Sequence, residues 1–456
     1  MNMIMINKKN IAICLYVIMI SIPFLSTIGN EIKIGIIILA TISLWATSAV
    51  PEWFSSFTFL TICSVFNFAS TDVIFSGFTS SAAWLVISGV IISAAITHVG
   101  LGNIIASYIF PIFIGTCKKA IFTSALLGLV TAFIMPSAMN RIILLVPILD
   151  SIAIKLGYNT NDKGYKGVLL SGVLGSYLPA TTILPANVPN NILIGLVEKI
   201  FKTTPSYIDY FILHFPVMGF LKLILTTIII IVLYNDKPTN KENYKIKANF
   251  TQKILAFILF VGVLLWMTES LHKISTSTIS LIIAVICLIP GSGFLPTKPM
   301  SNLNTGSFFY VATIVSLGTI AYHSGVAQYV ANQVINYLPV NNGSFTEKFF
   351  SLSALSGIMG LVVTIPGVPG VLTPMTEFIS NLIGFPIEMT YMTQIIGFST
   401  VFFVYQAPPL VIACQTGKLS VYEVSKICFI SSMISIIVLW PLDSVWWKLI
   451  TPFIFK

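Results

Sequence analysis

Long apolar runs separated by short polar stretches dominate the chain. Most of these runs are long enough to cross the roughly 30 Å hydrocarbon core of a bilayer as an α-helix. The pattern therefore predicts an all-α polytopic membrane protein. The apolar runs fall near residues 10–28, 31–50, 54–70, 82–110, 120–156, 165–197, 211–234, 252–271, 275–290, 306–338, 346–385, 390–417 and 422–452.

Two runs, 120–156 and 346–385, are too long for one crossing. Each is interrupted near its middle by polar or helix-breaking residues, at 136–141 and at 364–370. Each could form two close crossings or a re-entrant hairpin. The short polar tips favour hairpins, because non-helical backbone survives at membrane depth only when it is buried in protein or lines a cavity. We predict about eleven transmembrane helices plus two re-entrant hairpins.

Composition and charge exclude a soluble protein. Only 9% of the residues are charged, whereas a soluble domain has about 25%. The net charge of +9 would suggest nucleic acid as the partner of a soluble protein; here it indicates loops that face anionic lipid. The lysine-rich loops, above all the basic linker 235–251, predict a cytoplasmic N-terminus in the inner (plasma) membrane. The predicted partner is therefore the lipid bilayer, without nucleic acid.

The two halves of the chain, 1–234 and 252–456, repeat a common pattern. Four matches occur in the same order, which chance does not explain, and they predict an inverted repeat with an inward hairpin in the first half and an outward hairpin in the second. The matched segments are 44–47 with 265–268, 98–100 with 323–325, 137–147 with 364–374, and 188–190 with 408–410.

The runs 165–197 and 390–417 each contain a cluster of helix breakers at mid-span, at 179–191 and 406–409. Proline removes a backbone donor and frees carbonyls one turn back. Freed carbonyls can hold a cation, while the N-terminus of a half-helix can hold an anion. The alternative is a pair of packing kinks, but their occurrence at repeat-related positions favours a binding site.

These segments resemble the divalent anion/sodium symporters of the ion transporter superfamily. The resemblance implies a homodimer with a scaffold domain and a mobile transport domain that moves as an elevator. It also implies that the hairpin tips and broken helices bind di- or tricarboxylate, or sulfate, together with sodium. The segments that carry the resemblance are 44–51, 84–102, 137–148, 186–190, 406–409 and 416–418.

The chain departs from that family at the hairpin tips. The family has Ser-Asn-Thr at each tip, where this chain has Ser-Ala-Met at 137–139 and Thr-Ile-Pro at 364–366. Any sodium site would then rely on Ser137, Thr364 and freed backbone carbonyls. We therefore expect weak or absent sodium dependence, with exchange or proton coupling as the alternative; apart from a possible sodium ion, no cofactor is predicted.

Arg141 is the only arginine among 24 basic residues, and it lies in an apolar run just after the first hairpin tip. A charge at such depth costs several kcal/mol and is a functional candidate by default. Its guanidinium fork matches carboxylate or sulfate oxygens in a way that lysine does not. We predict that Arg141 contacts the anion; the alternative is a structural pair with backbone carbonyls or with a carboxylate.

The remaining candidates lie at the tips and breaks. Asp150 and Glu377, which follow the repeat-related Pro147 and Pro374, are either a symmetric pair of proton or cation sites or, as we favour, structural. The substrate-binding candidates are Ser137, Asn140, Arg141, Asn187, Pro189, Asn190, Thr364, Pro366, Ala407 and Pro408. The ion-binding candidates, with oxygen atoms suited to sodium, are Ser137, Thr181, Thr182, Thr364 and Gln406.

These features predict a secondary active transporter of small anions, above all di- or tricarboxylates. No convergent cluster of Asp, His and Ser indicates an enzyme. Two alternatives use the same fold: a cation/proton antiporter, with Asp150 or Glu377 as the proton carrier, and a permease for sulfate or another inorganic anion.

Overall fold

The structure is a computed structural model of the 456-residue chain. It describes residues 8–25, 27–47, 49–113, 115–237, 247–299, 303–336, 343–416 and 418–455. Within these ranges the chain forms helices and no β-strand, which confirms the predicted all-α class. Residues 238–246 of the predicted linker 235–251, and residue 417 at the end of the run 390–417, lie outside the described residues.

Several helices begin at an N-cap side chain that accepts a free backbone N–H of the first turn, as Ser137, Ser206 and Asn249 do. The first half contains α1 (Lys8–Ser21), α2 (Asn30–Thr47), α3 (Glu52–Val65), α4 (Thr71–Ile74), α5 (Ser81–Val99), α6 (Leu101–Phe113), α7 (Cys117–Ile134), α8 (Ala138–Lys155), α9 (Lys163–Tyr177), α10 (Val188–Phe201), α11 (Tyr207–His214) and α12 (Lys222–Leu233).

The second half repeats this mixture of long and short helices. It contains α13 (Phe250–Met267), α14 (Glu269–His272), α15 (Thr276–Leu288), α16 (Gly306–His323), α17 (Val326–Ile335), α18 (Phe345–Val363), α19 (Gly367–Leu372), α20 (Thr376–Ile383), α21 (Ile387–Phe398), α22 (Pro408–Gln415), α23 (Val421–Ile434) and α24 (Trp440–Ile454). Helices α13, α18 and α23 each begin at a reciprocal capping box.

Seven helical spans of the described residues are long and apolar enough to cross a membrane, or eight if one bent pair is counted as a span. The bent pair is α16 with α17, which meet at 78°. The apolar run near 306–338 therefore contains two helices that meet at a bend. Gly325 bends it, with a φ of +81° that glycine adopts without strain, and its repeat-related counterpart Gly100, between α5 and α6, has a φ of +73°. The count of about eleven crossings stays a prediction.

The last long span of each half contains a π-helical turn. In the first half α11 continues through a π-turn, Phe215–Leu221, into α12; in the second half α23 continues through Ser435–Leu439 into α24. Pro216 lies at the start of the first turn and Pro441 just after the second. A proline inside a helix removes an N–H and clashes with the preceding turn, and a π-turn accommodates this distortion. The repetition supports the relation between the halves.

The helices form two compact units, and each half of the chain contributes to both. Unit 1 comprises Met1–Ile87, Asn191–Thr204 and Asn304–Gly397; unit 2 comprises Ser88–Asn190, Pro205–Leu303 and Phe398–Lys456. Unit 2 contains the first hairpin tip and most of both helix breaks, whereas unit 1 contains the second hairpin tip. In unit 2, helices α7 and α9 pack backbone against backbone.

Close packing of α7 on α9 depends on glycine. A Cβ atom added at Gly175 would lie 2.7 Å from the Ala125 carbonyl oxygen, which is too close for any real contact. We therefore expect Gly175→Ala to push the helices apart and to destabilise the protein by about 1–3 kcal/mol. Thermal unfolding of the purified protein measures this loss. Gly29→Ala is the matched control, because nothing lies within 4 Å of that Cβ position; equal unfolding midpoints for the two variants would contradict the packing argument.

Candidate functional site

The first hairpin turns between α7 and α8 through three residues. Helix α7 ends at Ile134, and Ser137 caps α8 by accepting a hydrogen bond from the Asn140 N–H at 3.4 Å. The Ser137 hydroxyl, a predicted ligand for both anion and sodium, therefore has a local role as an N-cap. The N-terminus of α8 lies at this turn, as expected for the tip of a hairpin.

Arg141, in the first turn of α8, is fully buried and bonded to backbone. Its Nη1 donates to the carbonyls of Met135 (2.5 Å) and Ala186 (3.2 Å), and its Nη2 donates to the Ser176 carbonyl (3.2 Å). Its Nε donates to the Ser176 hydroxyl at 2.7 Å. Four of its five N–H groups thus tie the hairpin turn to the first helix break. These are the contacts of the structural alternative; contact with an anion stays a prediction.

The first helix break separates α9 from α10 by two short 3₁₀ turns, Pro179–Thr182 and Leu184–Ala186. The hydroxyls of Thr181 and Thr182 donate to carbonyls three residues back, at 2.8 and 2.7 Å. Both side chains are fully buried. The prolines predicted this break correctly, because each removes an N–H that a continuous helix needs. Pro189 is buried in the first turn of α10.

Asn187 and Asn190 have unpartnered polar atoms at the first break. The Asn190 Nδ2 donates to the carbonyls of Ala180 (2.9 Å) and Ile183 (3.0 Å), which leaves its Oδ1 without a partner among the described residues. The Asn187 Oδ1 accepts from the Val188 N–H at 3.0 Å, and its Nδ2 likewise has no described partner. Both side chains are buried. Buried polar groups are normally paired, so these two atoms have hydrogen-bonding capacity that the described residues do not use.

The second hairpin tip is strained at Thr364. This residue ends α18 with φ 65° and ψ 160°, a conformation that is almost restricted to glycine. Its carbonyl accepts a hydrogen bond from the Gly367 N–H at 3.2 Å, and Pro366 precedes α19. Strain of this kind persists only where the surroundings enforce it, and it is common at ligand sites.

We expect Thr364→Gly to raise the free energy of unfolding by about 1–3 kcal/mol, because glycine removes the strain. The same change removes the hydroxyl predicted to bind the substrate or ion, so uptake should fall. Unfolding midpoints and uptake rates of the variant test both expectations. Lys273→Gly is the matched control: Lys273 also has a positive φ (62°), and its replacement should stabilise without slowing uptake. A less stable Thr364→Gly would contradict the strain argument.

The second helix break lies between α21 and α22. The Gln406 Oε1 accepts from the N–H groups of Phe402 (2.8 Å) and Phe403 (2.9 Å). The predicted ion-binding role of Gln406 stays a prediction. The Ala407 N–H donates to the Val404 carbonyl at 3.1 Å, and Pro408 opens α22. Helix α22 packs on α8 and α9 within unit 2.

Unit 2 thus brings together most of the predicted site residues. The candidates from Ser137 to Asn190 lie at the start of α8 and at the first break. Helix α22, whose N-terminal end holds Pro408, packs on α8 and α9 in the same unit. Thr364 and Pro366 belong to unit 1. None of these candidates is part of a metal cluster, since the described residues contain no group of three or more His, Cys, Asp or Glu side chains suited to a metal.

The carboxylates of Asp150 and Glu377 have matching partners. The Tyr165 hydroxyl donates to Asp150, and the Tyr322 hydroxyl donates to Glu377. Asp150 also forms a salt bridge with Lys418 at 3.2 Å. Both carboxylates are therefore hydrogen-bonded to a tyrosine at repeat-related positions; the favoured structural role stays a prediction.

The sequence pattern did not single out two buried charged residues, Lys222 and Asp443. The Lys222 side chain is 1% exposed, and that of Asp443 is fully buried. Neither carboxyl oxygen of Asp443 has a hydrogen-bond partner among the described residues. Each is an isolated charged residue within a long apolar run, which is the signal that could have identified it.

Comparisons with known proteins agree with this architecture. A family profile described as the sodium:sulfate symporter transmembrane region matches residues 5–453. A membrane protein of Cupriavidus necator is 22% identical over 86% of this chain and 82% of its own length. The inner membrane protein YbhI of Escherichia coli is 22% identical over 70% of each chain.

A solved structure shares the fold. The crystal structure of the YdaH transporter of Alcanivorax borkumensis, reported to have an unusual topology, superposes with a TM-score of 0.59. The match covers 83% of this chain and 88% of that one, at 14% sequence identity. At this identity the likeness shows the fold alone.

Proposed function

The chain belongs to the sodium:sulfate symporter family of membrane transporters, and from this premise we propose that it is a secondary active transporter of small anions, with di- or tricarboxylates as substrates. One observation supports this most: the fully buried Arg141 guanidinium donates to the Ala186 carbonyl at the first helix break, next in the chain to the buried Asn187. The family resemblance gives the substrate class, and sulfate is the alternative that an uptake assay must test.

The charges at the first break favour an anion. Arg141 carries a full positive charge without a carboxylate in salt-bridge distance among the described residues. The N-termini of α8 and α10, which begin at the hairpin turn and at the break, add partial positive charge. The Asn187 Nδ2 is a buried donor for which the described residues offer no partner within normal hydrogen-bond geometry. An anion that accepts hydrogen bonds here would satisfy the donor and offset the charge.

Sodium fits this break less well than an anion does. The unpaired Oδ1 of Asn190 is the kind of oxygen that sodium binds. However, Arg141 and the Asn190 amide already occupy the freed carbonyls of Met135, Ser176, Ala180, Ile183 and Ala186. We therefore propose that sodium dependence is weak or absent and that exchange or proton coupling drives uptake.

Uptake by reconstituted protein tests the proposal. Proteoliposomes are supplied with dicarboxylates, citrate or sulfate, in sodium buffer and in potassium-matched buffer. We expect carboxylate uptake in both buffers. Uptake of sulfate alone would instead identify an inorganic anion permease, and pH-dependent sodium flux without any anion would identify a cation/proton antiporter.

On the family resemblance we also propose that the protein is a homodimer that works by an elevator mechanism. We propose that it lies in the inner membrane, with its N-terminus in the cytoplasm.

If residues 120–156 form a re-entrant hairpin, cysteines introduced near Lys119 and Asn159 should both be labelled from the cytoplasmic side only. Labelling of the two from opposite sides would exclude re-entrance.

A further inference from the structure

Asp443 is a buried acidic residue in the last long span of the chain. It lies in the first turn of α24, which follows the π-turn Ser435–Leu439, and its side chain is fully buried. Among the described residues, neither of its oxygens has a hydrogen-bond partner and no basic side chain forms a salt bridge with it. Because α23 continues through the π-turn into α24, no free helix N-terminus lies beside Asp443 to stabilise a negative charge.

The ionisable groups that surround Asp443 come mainly from one helix. Within unit 2, α24 packs mainly on α11 and on both π-turns. Neither π-turn nor the segment 399–403 of the second break contains an ionisable residue. The ionisable residues of α11 are Tyr207, Asp209, Tyr210 and His214. No described hydrogen bond or salt bridge joins any of them to Asp443.

His214 is the residue of α11 that reaches the buried face of α24. It is fully buried, and the centroid of its ring lies 5.6 Å from that of Trp447. Trp447 lies one turn beyond Asp443 on the same buried face. The other ionisable residue of α24, Lys448, is exposed. The surroundings of Asp443 are therefore aromatic and apolar, without a described counter-ion.

These surroundings favour the neutral form of the Asp443 carboxyl, which holds a proton. An ionised carboxylate that is removed from water without a partner is so costly that the group takes up a proton instead. A proton needs only one carboxyl oxygen, whereas a hard metal cation needs several oxygen ligands around it. Ionisable residues within membrane spans are by default candidates for proton or ion pathways.

The span that contains Asp443 contacts the second helix break both before and after its π-turn. The Ser432 hydroxyl, in α23, donates to the Val401 carbonyl at 2.6 Å. The Trp440 Nε1, on the same buried face of α24 as Asp443, donates to the Thr400 hydroxyl at 3.3 Å. A change in the charge of Asp443 therefore acts on a span that holds the break in place.

We propose that Asp443 is the proton-binding site that couples anion uptake to the proton gradient. This inference rests on the proposed transport function and names the residue that carries the proton. In each cycle one carboxyl oxygen binds a proton on one side of the membrane, stays neutral while it is buried, and releases the proton on the other side. A neutral acid that only filled space could be replaced by an amide of the same shape without loss of coupling.

The test uses proteoliposomes in sodium-free buffer, with labelled succinate, citrate or sulfate as the probe and with the membrane potential clamped by potassium and valinomycin. Two quantities are measured after subtraction of protein-free liposomes. The first is exchange of external labelled anion for internal unlabelled anion. The second is accumulation driven by a gradient of about one pH unit, acid outside, which can concentrate the anion about tenfold per coupled proton. We expect both for the wild type.

Asp443→Asn keeps the shape of the neutral acid but cannot release a proton. We expect exchange close to the wild-type rate and no accumulation above equal concentrations. Asp443→Glu, which restores a carboxyl group, should recover accumulation. Asp72→Asn is the matched control, because it makes the same acid-to-amide change at an exposed residue, and it should accumulate the anion as the wild type does. Accumulation by Asp443→Asn equal to that of the wild type would overturn the proposal.

Infrared spectroscopy tests the proton itself and needs neither the anion nor a folded variant. Wild-type protein labelled with ¹³C in its aspartate carboxyls should show, at neutral pH, the isotope-shifted band of a protonated carboxylic acid. A folded Asp443→Asn should lose that band. Absence of the band from the wild type would overturn the proposal.

The exchange measurement separates the two hypotheses. If the wild type exchanges none of the three anions, the proposed function fails and the coupling fails with it. If the wild type exchanges an anion but does not accumulate it in the pH gradient, the proposed function stands and proton coupling through Asp443 is excluded.

Discussion

Replacing Arg141 with alanine is expected to abolish anion uptake and to lower the free energy of unfolding by about 3 kcal/mol or more. The change leaves three carbonyls without their donor, those of Met135, Ser176 and Ala186, at a fully buried position. It also removes the positive charge that we propose to attract the anion. Uptake by proteoliposomes and thermal unfolding of the purified variant measure the two effects separately.

The conservative variant separates binding from structure. Arg141→Lys keeps the charge but loses the planar fork, and we expect substrate binding to weaken by about 1.5–3 kcal/mol. The decisive readout is thermal stabilisation of each purified variant by the transported anion. Stabilisation of Arg141→Ala equal to that of the wild type would exclude Arg141 from the anion site and leave it a purely structural group.

A second large loss of uptake is expected for Asn190→Ala, about 100-fold or more, equivalent to roughly 2.7 kcal/mol. The Asn190 amide donates to two carbonyls and so connects them. The Ala180 carbonyl lies in the first 3₁₀ turn, and the Ile183 carbonyl lies between the two turns. Without that bridge the Ala180 carbonyl keeps only the Ile183 N–H (3.3 Å) and the Ile183 carbonyl only the Ala186 N–H (3.0 Å), so α10 is no longer tied to the turns through this side chain. The Asn190 Oδ1, which has no hydrogen-bond partner among the described residues, is lost as well.

Uptake rates and unfolding midpoints are measured together for this variant. Asn159→Ala serves as the control, because Asn159 is exposed and its replacement should change stability by less than about 0.5 kcal/mol. Asn190→Ser, which has a shorter side chain, should lose uptake too, since it cannot reach both carbonyls. Uptake by Asn190→Ala within a factor of two of the wild type would refute the role of the bridge.

The sequence predicted well the features that depend on residues close together in the chain. The breaks near Pro179 and Pro408 were predicted because proline acts on its own helix, through the N–H that it lacks and the turn with which it clashes. The hairpin turn at Ser137 was predicted for a similar reason, since polar and helix-breaking residues are visible at the positions where they act. Such effects extend over about one helical turn and need no knowledge of the tertiary fold.

Partners that are distant in the sequence were not predicted. Arg141 reaches Ser176 and Ala186, which lie 35 and 45 residues away, and Lys222 reaches Ser399 at a separation of 177 residues. These bonds depend on how the helices pack, and no local pattern encodes them. The sequence marked Arg141 through its chemical rarity, whereas Lys222 is one lysine among many and is marked only by its isolation in a long apolar run.

The presence of a single arginine gives this protein an intrinsic spectroscopic label. If cells are grown with arginine labelled with ¹⁵N in its guanidinium group, Arg141 is the only residue of the protein that carries the label, since the sequence has no other arginine. The spectrum of a 456-residue membrane protein would then contain the guanidinium resonances of one residue. Four of its N–H groups are hydrogen-bonded in a buried position and should exchange slowly with water. Titration with each substrate could therefore be followed at the proposed site without any mutation.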